Sequence, residues 1–364
     1  MISIFLDFFL CKMFQLFLVF LTLIFSIRVY KWSMERKFIK KISEKYVLIT
    51  GCDSGFGRRL TEKLLIMGVN VFAGCFTEEG EKSLIEDCSH LEGTLRTIRL
   101  DITNQKTVDE CYNFVFKVLK EKNSQLWGLV NNAGFLAVYG PMDWIGIEEY
   151  EQSINVNLIG AIRMTKKFTP LIKQSKGRIV TMISASGRLH GFYTAPYITA
   201  KFGLEGYVDN LRLELKPFGV SVSCLEPGAF RTNLMSPEAM IKRVESVWQK
   251  LDEETKSEYG VFFKDNYVQS HNTGSSLIAN GNLDIVVDSY IHALFAEYPK
   301  IRYVCGWDAR LIFIPMSFLP SRWQDAIIQS MMDFTSRSVK PAIFENNNNL
   351  KINGKKIQKI AFAS

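Results

Sequence analysis

Residues 45–67 read K-Y-V-L-I-T-G-C-D-S-G-F-G-R-R-L-T-E-K-L-L-I-M, and this stretch decides the fold. Lys45 to Thr50 is a short apolar strand. It runs into the glycine turn Gly51-Cys52-Asp53-Ser54-Gly55-Phe56-Gly57, and Arg58 to Met67 continues with helical spacing. A strand, a glycine turn and a helix in that order point backbone N–H groups and a helix N-terminus at one spot, which suits a pyrophosphate. The spacing is G-x-x-x-G-x-G, and the flanking elements give the glycines their weight.

Outward from there, strands and helices alternate. A second strand spans Val69 to Cys75. Where a nicotinamide site often carries an acidic clamp for the ribose, this chain has Cys75-Phe76-Thr77, then Glu78 and Glu79. The lack of Lys or Arg there leans toward NAD over NADP, while Arg58 and Arg59 pull the other way. Thr97 to Asp101 is a third strand, whose Asp101 can accept from an adenine amino group or cap the helix starting near Asn104. A helix over about 105–122 leads to a fourth strand, Leu126 to Val130, and then to Asn131-Asn132-Ala133-Gly134. A long helix over about 147–173 bears Asn155 and Asn157; a buried Asn in a helix needs a reason, such as a kink holding a water. Arg178 to Ile183 is a fifth strand and Val220 to Leu225 a sixth, ending in Glu226-Pro227-Gly228-Ala229-Phe230-Arg231-Thr232. This alternation predicts an α/β fold with a doubly wound parallel sheet.

Ser184 follows the fifth strand, so its hydroxyl emerges at a carboxyl end, where open α/β sheets place their ligands. Thirteen residues on, Tyr197 and Lys201 stand four apart on a helix and share a face. An ammonium near a phenol favours phenolate and draws its pKa down from about 10. Tyr197 thereby becomes a usable proton carrier.

Composition excludes other classes. The chain of 364 residues has seven cysteines without C-x-x-C spacing and four unclustered histidines, which gives no metal site. The net charge of +7 sits at the ends: about +5 over residues 28–45 and +3 over 341–364, leaving the body near −1. Basic ends on a neutral body argue against nucleic acid and fit a membrane flank. Residues 1–27 are apolar except for Asp7 and Lys12. Met13 to Ile27 falls short of the roughly 30 Å hydrocarbon core, but extension past a snorkelling Lys12 reaches spanning length. No small-x-small cleavage pattern precedes Arg28, so an uncleaved single-pass anchor is expected, with the body facing the cytosol. The expected organisation is an anchor (1–30), a basic flank (31–44), a dinucleotide-binding catalytic domain (45–310), an apolar extension (311–340) and a disordered basic tail (341–364). Within it, 233–280 covers a substrate pocket, 302–305 is a seventh strand, and 311–318 is either buried or dips into a bilayer.

T-G-x-x-x-G-x-G at 50–57, Asp101, N-N-A-G at 131–134, Asn157, Ser184, Y-x-x-x-K at 197–201, Pro227-Gly228 and Thr232 stand in one order. The assembly resembles the short-chain dehydrogenase/reductase family, and T-G-C-D-S-G-F-G and E-P-G-A-F-R-T resemble its membrane-bound retinol and hydroxysteroid dehydrogenase branch. The resemblance implies a Rossmann-like sheet of about seven strands. Tyr197 is then the general acid/base, Lys201 its tuner and ribose contact, Ser184 the partner of the substrate oxygen, and Asn157 the holder of a water. Thr50, Gly51, Asp53, Ser54, Gly55, Phe56, Gly57, Asp101, Ile102, Asn132, Ala133, Gly134, Tyr197, Lys201, Pro227, Gly228 and Thr232 line the dinucleotide. The implied activity is hydride transfer between NAD and an alcohol on an apolar substrate, a retinoid or hydroxysteroid, in the endoplasmic reticulum membrane. Pairing of two copies through the helices at 147–173 and 196–217 is also implied. The rivals are a 3-hydroxybutyrate-type dehydrogenase and a nucleotide-binding scaffold without turnover.

Overall fold

Five consecutive buried residues, Tyr46–Thr50, form β1, an interior strand of a seven-stranded parallel sheet. A computed structural model describes residues 2–136, 139–232, 235–336 and 340–344. The strand order is β3-β2-β1-β4-β5-β6-β7, where β2 is Asn70–Cys75, β3 Leu95–Arg99, β4 Leu126–Asn131, β5 Arg178–Met182, β6 Ser221–Pro227 and β7 Arg302–Cys305. The order reverses between β1 and β4, and such a reversal opens a crevice at the strands' carboxyl ends.

Parallel strands are buried on both faces, and side chains alternate between them. Tyr46 and Leu48 pack under α4 (Gln105–Glu121), α6 (Ala161–Ser175) and α7 (Ala195–Leu215), with Met164, Phe168, Leu204 and Val208. Val47 and Ile49 face the other way, onto Leu60 and Leu64 of α2 (Gly55–Ile66) and Leu294 and Phe295 of α11 (Asp284–Phe295); Leu84 of α3 (Glu78–Cys88) joins them. Six cysteines, Cys52, Cys75, Cys88, Cys111, Cys224 and Cys305, are buried free thiols that fill these layers.

The helix expected over about 147–173 runs through, with an irregularity at the Asn157 position where a kink was considered. α5 (Ile147–Ile154) passes into a π-helical segment, Asn155–Gly160, before α6 begins. Asn157 causes the widening from one side: its Oδ1 accepts from Phe135 N at 2.9 Å and its Nδ2 donates to Phe135 O at 2.8 Å. Gly160 permits it from the other, because a Cβ there would lie 2.6 Å from Ile102 Cδ1. Such bulges recur at functional sites.

Residues 235–280, expected to cover a pocket, form three helices. α8 (Pro237–Trp248), α9 (Glu253–Tyr259) and α10 (Val261–Ile278) stack an aromatic layer of Trp144, Trp248, Phe263 and Tyr267 over the crevice. Ser236 caps α8 through Ala239 N at 3.1 Å, and Asp252 caps α9 through Thr255 N at 2.7 Å. The segment after β7 is divided: Met316 is buried, whereas Leu311 and Phe318 are each 73% exposed. On α12 (Ser321–Ser336), Trp323, Ile327, Met331 and Phe334 form an exposed apolar stripe at i, i+4, i+8 and i+11. Of the tail expected to be disordered, residues 345–364 lie outside the described residues.

α1 (Ile2–Glu35) contains Lys12–Glu35, a stretch long and apolar enough to cross a membrane, and the body buries none of its apolar window. Its last residue is fastened directly to the body. His292 donates from Nε2 to Glu35 O at 2.7 Å and accepts at Nδ1 from the Tyr303 hydroxyl at 2.7 Å, while Lys300 Nζ pairs with Glu35 Oε2 at 2.8 Å.

Candidate active site

The three glycines of the β1–α2 turn have three different reasons. Gly51 adopts φ +70°, which only glycine takes without strain. Gly55, at φ +62°, borders open space, with Thr232 Cγ2 3.9 Å from where a Cβ would be. Gly57 permits close packing: a Cβ there would stand 2.2 Å from Gly51 O and 2.5 Å from Asn132 Nδ2. A tight turn, an open approach and close helix–strand packing are the roles that a dinucleotide loop asks of its glycines.

Asn132 ties this turn to β4. Its Nδ2 donates to Thr50 O at 2.9 Å and Gly51 O at 3.0 Å, and Thr50 Oγ1 accepts from the backbone N of Asn132 and Ala133 at 3.1 and 3.0 Å. Thr50 and Gly57, expected to line the dinucleotide, therefore stand behind the wall and shape it. Asp53 reaches across to the end of β2, where Phe76 N, Thr77 N and Thr77 Oγ1 donate to its carboxylate at 2.8, 2.7 and 2.8 Å. The acidic group that Cys75 fails to supply at that strand end thus arrives from the glycine turn. Asp101 does not cap α4, since Asn104 does so through Lys106 N at 2.9 Å. Asp101 Oδ1 instead accepts from the backbone N and hydroxyl of Thr103 at 2.8 and 2.7 Å.

A cavity of about 870 Å³ runs from this turn along the carboxyl ends of the strands. Of the residues expected to line a dinucleotide, Gly51, Asp53, Ser54, Gly55, Phe56, Asp101, Ile102, Asn132, Ala133, Gly134, Pro227, Gly228 and Thr232 form its wall. Asn157, Ser184, Tyr197 and Lys201 line the same space. The remainder brings Met235, Ser275 and Ile278, from the 233–280 stretch expected to cover the pocket, and Leu136, Tyr139, Gln152, Leu189, His190 and Phe313, which were not named as site residues. They come from six separate stretches, so no single local pattern marks them. The signals were regional: the 233–280 stretch and, for Phe313, the apolar run at 311–318. Asp308 was also missed. It is fully buried, accepts from Ala229 N at 2.6 Å, and leaves no room for a side chain at Gly228.

The Tyr197 phenol is hydrogen-bonded to Ser184, and Lys201 Nζ lies 5.6 Å from the phenol ring centroid while donating to Met182 O at 3.2 Å. Gly134 lets these groups converge, because a Cβ there would be 3.3 Å from Asn157 Oδ1 and 4.0 Å from Lys201 Nζ. Ser153 Oγ donates to Pro196 O at 2.9 Å, which holds the first turn of α7 against α5. The expected depression of the phenol's pKa is not what burial produces. Burial pushes Tyr197 up to about 12, against the Ser184 hydrogen bond, and pushes Lys201 down to about 8. At 3% exposure and with a single backbone carbonyl as its acceptor, the ammonium is poorly solvated, and desolvation outweighs its pull on the phenol.

The short chain dehydrogenase family model matches residues 45–240. The 3beta-hydroxysteroid dehydrogenase dhs-16 of Caenorhabditis elegans is 50% identical over 314 residues, 85% of this chain and 81% of that protein. Retinol dehydrogenase 7 of Rattus norvegicus is 38% identical over 310 residues, 85% of this chain and 93% of that protein. A short-chain dehydrogenase/reductase from Burkholderia phymatum, solved in complex with NAD, superposes with a TM-score of 0.64 at 18% identity, over 80% of this chain and 97% of the other. With its glycine turn and its Ser184, Tyr197 and Lys201 on one cavity, the chain belongs to the short-chain dehydrogenase/reductase family, in the branch of the retinol and hydroxysteroid dehydrogenases.

Proposed function

We propose that this oxidoreductase converts a secondary or allylic alcohol on an apolar substrate, a hydroxysteroid or a retinoid, to its carbonyl with NAD. The observation that carries the reading is that one cavity joins the glycine turn to Ser184 and Tyr197 and continues into a largely apolar wall. Among the described lining residues Lys201 is the only Lys or Arg, so a small anionic substrate such as 3-hydroxybutyrate finds no second cation to hold its carboxylate.

The nicotinamide ring, when bound, supplies the hydride acceptor. The open backbone at Gly55 and the N-terminus of α2 fit its pyrophosphate, and Asp53 and Asp101 suit ribose hydroxyls and the adenine amino group. Two observations support NAD over NADP. The Asp53 carboxylate repels a 2′-phosphate at the end of β2. Arg58 and Arg59 are already engaged, Arg58 with Asp87 and Arg59 with Asp284 at 3.0 Å.

In the alcohol-to-carbonyl direction Ser184 Oγ holds the substrate oxygen and Tyr197 Oη takes its proton. A positive charge on Lys201 lowers the cost of the phenolate. The Asn157 amide is spent on Phe135 and on Ser153, 3.3 Å away. A water linking Lys201 to solvent is therefore held by the opened backbone of the π segment rather than by that side chain.

The same reading makes α1 a single-pass anchor, in the endoplasmic reticulum membrane and with the body cytosolic. The exposed stripe on α12 and the exposed Leu311 and Phe318, near the cavity residue Phe313, suit delivery of a membrane-dissolved substrate. Exposed Phe202 and Leu213 on α7 and Ile159 beside α6 suit pairing of two copies.

The test is NADH formation by the full chain in lipid nanodiscs with retinol and a panel of 3- and 17-hydroxysteroids, run in parallel with NADP. Turnover of at least one apolar alcohol, faster with NAD, is expected. Turnover of 3-hydroxybutyrate alone, or none with any apolar alcohol, overturns the reading.

A further inference from the structure

α7 carries more than the proton carrier. Tyr197, Lys201, Glu205 and Asp209 recur every four residues and share one helix face. The first two reach the cavity; the last two run behind it, into a cluster of buried charge. Glu205 is 8% exposed and Glu226, on β6, is 0% exposed. Buried carboxylates are costly unless they are paired.

One guanidinium does most of the pairing. Arg302, on β7, bonds Glu226 Oε1 at 3.0 Å and Asp209 Oδ2 at 2.6 Å, and contacts Glu205 Oε1. Glu205, Cys224 and Glu226 place ligand atoms within 4.8 Å of one another, as a metal site would. Arg302 Nη1, 3.7 Å from Cys224 Sγ, already stands where a cation would go. Glu226 Oε1 also takes Arg188 Nη1 at 3.4 Å, and Arg188 ends the short turn that begins at Ser184. That turn lies flat on α7: a Cβ on Gly187 would be 3.2 Å from Lys201 O and 3.4 Å from Glu205 Oε2.

The serine and the tyrosine therefore sit on two pieces of chain with a common ionic brace behind them. We propose that Arg302 is a positioning residue for the reaction, holding α7 to β6 and, through Glu226 and Arg188, holding the Ser184 turn in register with Tyr197. Stability alone is a poor reason for such a brace, because buried ion networks are often replaced by apolar groups without loss. Registry is a better one, since a displacement of about 1 Å in an active site can cost about 100-fold in rate.

The proposal rests on Tyr197 being the proton carrier, and its test separates the two. The full chain is compared with Arg302→Lys, Arg302→Met and the triple variant Arg302→Met/Glu205→Gln/Glu226→Gln, which removes the guanidinium together with both buried carboxylates, using the alcohol that the unaltered protein turns over best. NADH binding and thermal unfolding are measured alongside. Arg302→Met is expected to lose about 30- to 100-fold in kcat, with alcohol KM and NADH affinity within about threefold. The triple variant is expected to unfold near the original temperature and still turn over slowly, and Arg302→Lys to recover part of kcat. Full kcat in the triple variant, or in Arg302→Met, reduces the brace to a stability element and overturns the proposal. An unaltered chain that binds NADH yet turns over no alcohol overturns both readings, and does so before any variant is made.

Discussion

The two halves of the cavity are built from different materials. Around β1, β2 and α2 the wall is mostly backbone, shaped by glycine torsions and by the Asn132, Thr50 and Asp53 side chains that pin it. Under α8 and α10 and along 309–316 it is mostly side chain, backed by an aromatic layer in which Trp144 meets Trp248 edge-on at 5.1 Å. A backbone wall tolerates almost no substitution, whereas a side-chain wall can be recut one residue at a time. The first half thus suits a ligand common to many enzymes and the second a ligand particular to this one.

The sharpest probe of the comparison lies on its seam. Tyr197→Phe keeps both walls and removes the proton carrier, so kcat is expected to fall by about 10²- to 10⁴-fold with NADH affinity intact, as fluorescence titration would report. A matching loss of NADH binding would mean that the seam belongs to the dinucleotide half. Next in size, Gly57→Val drives a side chain into the Gly51 carbonyl, and its cost of about 3 kcal/mol or more is expected to appear as lost NADH binding or lost fold in a thermal melt.

Lys201 tests the price of burying charge at the same seam. Its folded pKa, about 8, lies below the ordinary 10.5, so the folded state binds fewer protons between those values. The penalty is fully present below about pH 8 and gone above about 10.5. Lys201→Met, free of cofactor, is therefore expected to be more stable than the original at pH 7, by up to about 3 kcal/mol. The gain should shrink as pH rises through that window. Denaturant melts at pH 7 and pH 10 check it, and an equal gain at both would assign the effect to packing.

The smallest effect belongs to the side-chain half. Phe313→Ala is expected to raise the KM of the apolar alcohol about tenfold while leaving NADH affinity unchanged, as steady-state kinetics would show. A change in NADH affinity of similar size would erase the distinction between the halves.

The same contrast explains what could be read from the sequence. The strands, the glycine turn and the Ser184–Tyr197–Lys201 set were legible because they obey local rules: short unbroken apolar runs, positive φ and four-residue helical spacing. At Asn157 a kink could be suspected from a buried Asn in a helix, but its π form and its partner Phe135, 22 residues away, could not. Asp53 was assigned to the cofactor, but its tie to Phe76 and Thr77 requires knowing that β1 and β2 end side by side. The Arg302 cluster joins residues up to 114 positions apart, Arg188 to Arg302, and each reads alone as an ordinary surface charge. The phenol's pKa was misjudged because sequence spacing reports the neighbouring ammonium and is blind to the loss of solvent around both groups.

The join between α1 and the body has a mechanical consequence. The Glu35 carbonyl is gripped by His292 and its carboxylate by Lys300, and Ile39 N donates to Phe295 O at 2.8 Å only four residues later. No slack chain separates helix from enzyme, so the hydrophobic segment is a stalk rather than a leash. With α1 as the anchor proposed above, any tilt that a bilayer imposed on the stalk would pass to the catalytic body and to the mouth of its cavity.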